Sequence, residues 1–154
     1  MNRDSPLFID DFSVGDRCIT GDVLVTRDMI VGFAEVYDPQ PMHLNDDAAR
    51  ATIFGAFVGS GWQTLSLSMR LLIDAKLLGG TPIVAVGFKD IRFHAPVRPD
   101  TRLRVETEVL SVRRSNTRND RGYLELRVTT TASGTVVITQ HWTLVVPARA
   151  VPMG

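Results

Sequence analysis

The sequence predicts an α+β fold in which a curved antiparallel β-sheet wraps around one long central helix, and three observations predict it. Across residues 61–78 apolar side chains cover most of a helical circumference, the pattern of a helix buried on several sides. From Thr101 onward the period changes to two, with apolar and polar residues alternating through successive runs. An antiparallel sheet with one wet face needs a cover on the other, and the 61–78 segment is the one apolar enough to supply it. With 154 residues the chain fits a single domain, 1–154, long enough to bury a core without disulfides.

In chain order, residues 7–16 end in the Gly15-Asp16 turn and lead to a short strand at 18–25. Thr26 offers an N-cap hydroxyl and Asp28 an acid in the first turn, so a helix opens there. Ile30, Phe33, Ala34 and Tyr37 recur at i, i+3, i+4 and i+7, a stripe expected to face a core, and Pro39 ends the helix. Asn45, Asp46 and Asp47 cap a short helix at 47–52. In the 61–78 helix Ser66, Arg70 and Asp74 form one polar stripe, with Arg70 and Asp74 spaced for an i, i+4 ion pair, and Gly79-Gly80 stops it. Within 83–97 the apolar parity switches from Val86 and Phe88 to Ile91 and Phe93, which predicts a bulge near Lys89-Asp90. Strands at 101–112, 123–131 and 135–146 complete the sheet, the last two joined by a tight turn at Ser133-Gly134. Residues 113–122 form a hairpin tip whose four arginines are either a solvated loop or a contact for an anion.

Composition excludes several classes. The chain is 44% hydrophobic and 22% charged, with no apolar run of the ~20 residues that a membrane span requires. Lys+Arg and Asp+Glu balance at 17 each, which leaves no electrostatic footprint for nucleic acid or an anionic membrane. One cysteine, Cys18, rules out an internal disulfide and a Cys-rich metal site. His43, His94 and His141 lack metal-ligand spacing, so no metal is expected. Neither G-x-G-x-x-G nor G-x-x-x-x-G-K-[ST] occurs, which disfavours a nucleotide cofactor. Gly59-Ser60-Gly61 lacks the G-x-S-x-G spacing of a nucleophile elbow and no strand precedes it. Residues 1–6 lack the basic start and apolar centre of a secretory leader, so the expected location is cytoplasmic.

The chemistry-bearing stretch is 37–61. Asp38 and His43 bracket Pro39-Gln40-Pro41-Met42, a stiff segment in which each proline disfavours helix in the residue before it. Asp38 falls just past a helix C-terminus, where the dipole opposes a negative charge; a raised carboxyl pKa and simple solvent exposure would each fit that position. Spacing alone leaves Asp38 and His43 open between acid-base chemistry and ordinary surface residues.

The segment Asp38-Pro39-Gln40-Pro41-Met42-His43-Leu44-Asn45, with Ala48-Ala49, Phe54-Gly55 and Ser60-Gly61-Trp62 after it, resembles the signature of the MaoC-like acyl dehydratases, relatives of the (R)-specific enoyl-CoA hydratases. Asp11-Phe12, Val14-Gly15-Asp16 and the run from Phe93 through Pro96-Val97 and Asp100 to Leu103 extend the resemblance over nearly the whole chain. The resemblance implies the hot-dog fold and a hydro-lyase that adds or removes water across the α,β double bond of an acyl thioester. It implies Asp38 and His43 as the acid-base pair and the Gly61 amide as donor to the thioester carbonyl, with Ser60 and Ser66 in the substrate site. Acyl-CoA or an acyl-carrier thioester would be substrate, no cofactor would be needed, and the chain would form a homodimer. Met42, Phe54, Phe57 and Trp62 are candidates for the acyl pocket, packing being the alternative for each. Gln40 stands where the family commonly has Asn, and Ser60 where it commonly has His, which weakens inference about the substrate. The alternatives are a hot-dog thioesterase, for which Asp74 is the helix acid available, and a non-catalytic acyl-binding subunit.

Overall fold

The computed structural model describes residues 3–150, so the first two residues of the N-terminal reading and the last four of the 1–154 span lie outside it. After a 3-10 turn (Ile9–Asp11), strand β1 (Arg17–Val25) leads to helix α1 (Arg27–Tyr37), a second 3-10 turn (Pro41–His43), a short α2 (Asp46–Arg50) and α3 (Gly61–Asp74). Four strands follow: β2 (Val84–Phe93), β3 (Thr101–Arg114), β4 (Arg121–Ala132) and β5 (Thr135–Pro147). They form one five-stranded sheet in the order β1-β3-β4-β5-β2, with every neighbouring pair antiparallel. Helix α3 packs on the sheet, and Leu71 and Leu72 join Leu103, Val105, Leu124, Leu126, Val128 and Leu144 in the core.

Local signals act where the sequence places them. Thr26 Oγ1 accepts from the Met29 amide, and Asn45 Oδ1 accepts from the Ala48 amide. Ser133 and Gly134 both have positive φ, the mirror-image turn that matches strand twist. The β2–β5 register shifts between Lys89 and Arg92, where Asp90 adopts φ 52°, and a second shift lies between Ala85 and Gly87.

Two expectations about helices need correction. The helix over 61–78 ends at Asp74, because Lys76 takes a left-handed conformation at φ 51°. The Leu77 amide then reaches the Leu72 carbonyl at 3.0 Å and the Lys76 amide reaches the Ile73 carbonyl at 2.9 Å, a Schellman cap with lysine in the glycine place. Gly79 belongs to the following turn, where a Cβ would sit 1.9 Å from the Ser5 carbonyl oxygen. Nor is α3 buried on all apolar sides. Its covered face is Gln63, Thr64, Ser68, Leu71 and Leu72, whereas Trp62 and Ile73 are 67% and 55% exposed. Gln63 donates to the Met29 carbonyl and Ser68 bonds Thr130 Oγ1, so these buried polar groups are satisfied. The stripe of α1 divides likewise: Ile30 and Ala34 enter the core, while Phe33 and Tyr37 pack on each other at 5.0 Å beside the open flank of α3.

Candidate active site

Three segments converge on one pocket of about 420 Å³. Pro39 cannot continue the ladder of α1, so the Asp38 amide makes the last helical bond, to Ala34 O at 2.9 Å. Pro41 then opens the 3-10 turn that carries His43 inward, leaving it 4% exposed. Ser60, fully buried, caps α3 by accepting from the Trp62 amide. The same Ser60 hydroxyl donates to Asp38 Oδ2 at 2.7 Å, tying the end of α1 to the start of α3. Gln40 Nε2 donates to the other carboxylate oxygen, Oδ1, at 2.6 Å.

The imidazole is oriented from behind. His43 Nδ1 lies 2.7 Å from the Val58 carbonyl oxygen, which can only accept, so Nδ1 carries the proton. Nε2 is thereby turned toward Asp38 Oδ2, 3.3 Å away. Burial pushes the Asp38 carboxyl up, but the hydrogen bonds from Ser60 and Gln40 and the neighbouring His43 outweigh it and hold the group below the ordinary carboxylate value. The raised-pKa alternative for Asp38 is thus overturned: donors at both oxygens dominate over the helix C-terminus. The carboxylate is ionised at neutral pH.

Gly61 opens α3, and its N–H makes no hydrogen bond within the chain among the described residues, as expected at a first helical position. A Cβ there would lie 2.4 Å from Phe93 Cε1, so glycine lets an aromatic ring close over the helix start. The Asp38 carboxylate, the His43 imidazole and the N-terminus of α3 thus face one cavity.

The remaining sequence-derived candidates divide. Met42, Phe54 and Trp62 line the pocket. Phe57 does not; it is buried beneath the Arg27 guanidinium, 3.9 Å from the ring centroid. Ser66 lies on the exposed side of α3, donates to the Trp62 carbonyl and borders a separate groove, because the polar stripe it heads points away from Asp38. Asp74 closes that stripe in an exposed pair with Arg70 at 2.8 Å. The hairpin-tip arginines are largely engaged: Arg114 with Asp10, Arg121 with Asp120, and Arg113 over the Tyr123 ring. Sequence reasoning missed His94, which borders the pocket with Nε2 2.7 Å from Thr139 Oγ1, and Ile138. The signal for His94 was its place in the matched Phe93–Val97 segment; for Ile138 it was strand parity.

A sheet wrapped on a helix whose N-terminus faces an acid-imidazole pair defines a hot-dog domain, the fold shared with solved MaoC-like and (R)-hydratase structures. The chain belongs to the MaoC-like family: residues 13–132 match the family described as "MaoC like domain". The crystal structure of a MaoC-like dehydratase from Rhodospirillum rubrum superposes with a TM-score of 0.89 at 36% identity, covering 94% of this chain and 99% of that one. The uncharacterised protein YdeM of Bacillus subtilis is 33% identical over 122 residues, 79% of this chain and 85% of its own. An (R)-specific enoyl-CoA hydratase of Rhodospirillum rubrum is 25% identical over 142 residues, covering 92% of this chain and 93% of its own.

Proposed function

We propose that the protein is a hydro-lyase that adds water to, or removes it from, the α,β double bond of an acyl thioester carried on CoA or on an acyl carrier. The observation that carries this reading is the convergence of Asp38, His43 and the start of α3 on one pocket. The thioester oxygen would sit at the Gly61 amide, where a preorganised donor and the helix dipole stabilise developing negative charge, an effect typically worth ~10²- to 10³-fold. In the hydration direction the water oxygen bonds to Cβ. The Asp38–His43 pair takes one proton from that water and returns one to Cα, while the other water proton stays on the new hydroxyl. No redox change occurs, and the pair ends as it began.

Two features support the division of labour. Nδ1–H held by Val58 commits His43 Nε2 to the reacting side, and the ionised Asp38 can orient water and compensate an imidazolium. Asp74 is a poor thioesterase acid, being exposed and engaged with Arg70 at the far end of α3. The same reading includes a homodimer, for which the exposed apolar residues Val84, Val86, Ile91 and Phe93 of edge strand β2 are the support.

The test is incubation with short enoyl-CoA substrates while following both enoyl-thioester absorbance and free thiol. Loss of absorbance without thiol is expected. Thiol release would replace the reading with a thioesterase, and neither change across a range of chain lengths would replace it with an acyl-binding subunit. No helix among the described residues is long and apolar enough to cross a membrane.

A further inference from the structure

Nearly every lysine and arginine side chain among the described residues meets a carboxylate, a backbone carbonyl or an aromatic ring. On the sheet, Arg17 pairs with Glu106, Arg102 and Arg104 with Asp22, and Arg127 with Glu108. Lys89, Arg92 and Arg98 are the exceptions. Each is exposed, and among the described residues none of their side chains has an ion pair, a hydrogen bond or a ring contact. The three bracket residues 93–97, the segment that walls the Asp38–His43 pocket on one side.

Strand register fixes where two of these cations stand. Lys89 lies opposite His141 and Arg92 opposite Thr139 across the β2–β5 pair, so the four side chains share one face of the sheet. It is the face turned away from α3, because the alternate residues of β5, Ile138 and Trp142, enter the core. His94 joins this strip to the pocket: it borders the pocket, and its Nε2 lies 2.7 Å from Thr139 Oγ1. The carboxylates nearby do not neutralise the strip. Glu125 is engaged by His141 at 3.0 Å, and Asp90 and Asp100, both at left-handed backbone positions, pair with none of the three cations.

Resting on the hydro-lyase reading, we propose that Lys89, Arg92 and Arg98 hold the phosphates of coenzyme A, and that CoA rather than an acyl carrier protein is the handle of the thioester. Phe93 lies against the start of α3, and Lys89 stands four residues back along β2, ~13 Å at strand rise. The pantetheine arm between thioester sulfur and diphosphate has about the reach of four or five extended residues. An acyl group held at Gly61 therefore delivers its phosphates to this strip past His94. Cations without carboxylate partners are free to meet them, and the guanidinium forks of Arg92 and Arg98 suit phosphate oxygens. An acidic carrier protein needs a far broader basic surface, roughly 800 Å² for an interface of standard size. Here the other cations of the sheet are already neutralised, and the chain carries no net charge.

The experiment compares one short enoyl group carried on CoA and on pantetheine, which lacks the phosphates. The CoA thioester is expected to show a KM about tenfold lower at similar kcat, and rising salt should close the gap, because the charges are exposed. Lys89→Gln, Arg92→Gln and Arg98→Gln should each raise the KM for the CoA thioester about twofold, and the triple variant should bring it close to the pantetheine value, which stays unchanged. All three side chains are exposed, so the variants should keep the wild-type melting temperature. Calorimetry with CoA itself reads the strip without turnover, and the triple variant should bind it about tenfold more weakly. Equal KM for the two handles in the wild type, or CoA affinity unmoved in the triple variant, overturns the assignment while the hydro-lyase reading stands on its own assay. Hydration of neither handle removes the hydro-lyase reading, and the CoA titration then decides the strip alone. Variants that lose turnover of an enoyl-carrier protein while keeping that of enoyl-CoA overturn it in favour of an acidic protein partner.

Discussion

At the scale of single residues, the Asp38 carboxylate is placed by donors rather than by cations. Asp38→Asn keeps its shape but removes its charge, and is expected to lower hydration by ~10²- to 10⁴-fold and to melt somewhat lower, because the bonds from Ser60 and Gln40 favour the ionised carboxylate. His43→Ala should lose activity on the same scale. It should also melt lower, because it leaves the buried Val58 carbonyl without its Nδ1–H donor. Full activity in either variant, measured by the absorbance assay, would remove these residues from the chemistry. Ser60→Ala separates a positioning role from a catalytic one. The hydroxyl caps α3, so its loss should cost about 1 kcal/mol of stability. It is also one of the donors that hold the Asp38 pKa low, so that pKa should rise. A carboxyl with a depressed folded pKa adds stability that is present above the ordinary value of ~3.9 and is lost as pH falls through the folded value. In Ser60→Ala both this acid loss and the acid limb of the rate profile should therefore move to higher pH; an unmoved acid limb would show that the Ser60 bond does not tune Asp38.

At the scale of elements, the two ends of α3 make opposite demands on glycine. At the N-terminus, Gly61→Ala brings a Cβ against the Phe93 ring, but that ring is 58% exposed and can swing aside. The variant should thus keep its melting temperature and lose kcat/KM, because the displaced ring borders the pocket; lost stability with intact kinetics would contradict this. At the C-terminus, Lys76 occupies the left-handed position that glycine adopts without strain. Lys76→Gly should stabilise the fold by about 1 kcal/mol, since the exposed ion pair with Asp4 that it gives up is worth little. Denaturant titration reads the sign. These ends also show what a sequence discloses about elements. Thr26, Asn45, Ser133-Gly134 and the Lys89-Asp90 parity switch act through neighbours within a few residues, so strand and cap positions were legible. Lysine in a glycine place hid the end of α3. The extent of its burial was hidden too, because it depends on how far the sheet reaches around the helix. The contact that assembles the site, Ser60 to Asp38, spans 22 residues, and local pattern carries no trace of it.

At the scale of the whole molecule, the sheet has two free edges, and they differ. Edge strand β1 is paired on one side with β3 and is studded with charge, Arg17 bridging Glu106 and Asp22 bridging Arg102. Such an edge resists pairing with another chain. Edge strand β2 instead exposes Val84, Val86, Phe88, Ile91 and Phe93, each 40% exposed or more, beside the uncovered Trp62 and Ile73 of α3. Contiguous apolar surface of this kind, on a strand whose outer hydrogen-bonding groups have no partner strand among the described residues, marks the face that a second copy would cover. The protein is therefore expected to sediment at twice the 17.0 kDa of one chain at micromolar concentration. Val86→Glu puts a charge in the middle of that strand while touching neither the core nor the Asp38–His43 pair. It should yield a monomer with an unchanged circular dichroism spectrum. A wild-type protein that sediments as a monomer would assign the β2 face to some other partner, and a Val86→Glu dimer would place the interface elsewhere on the surface.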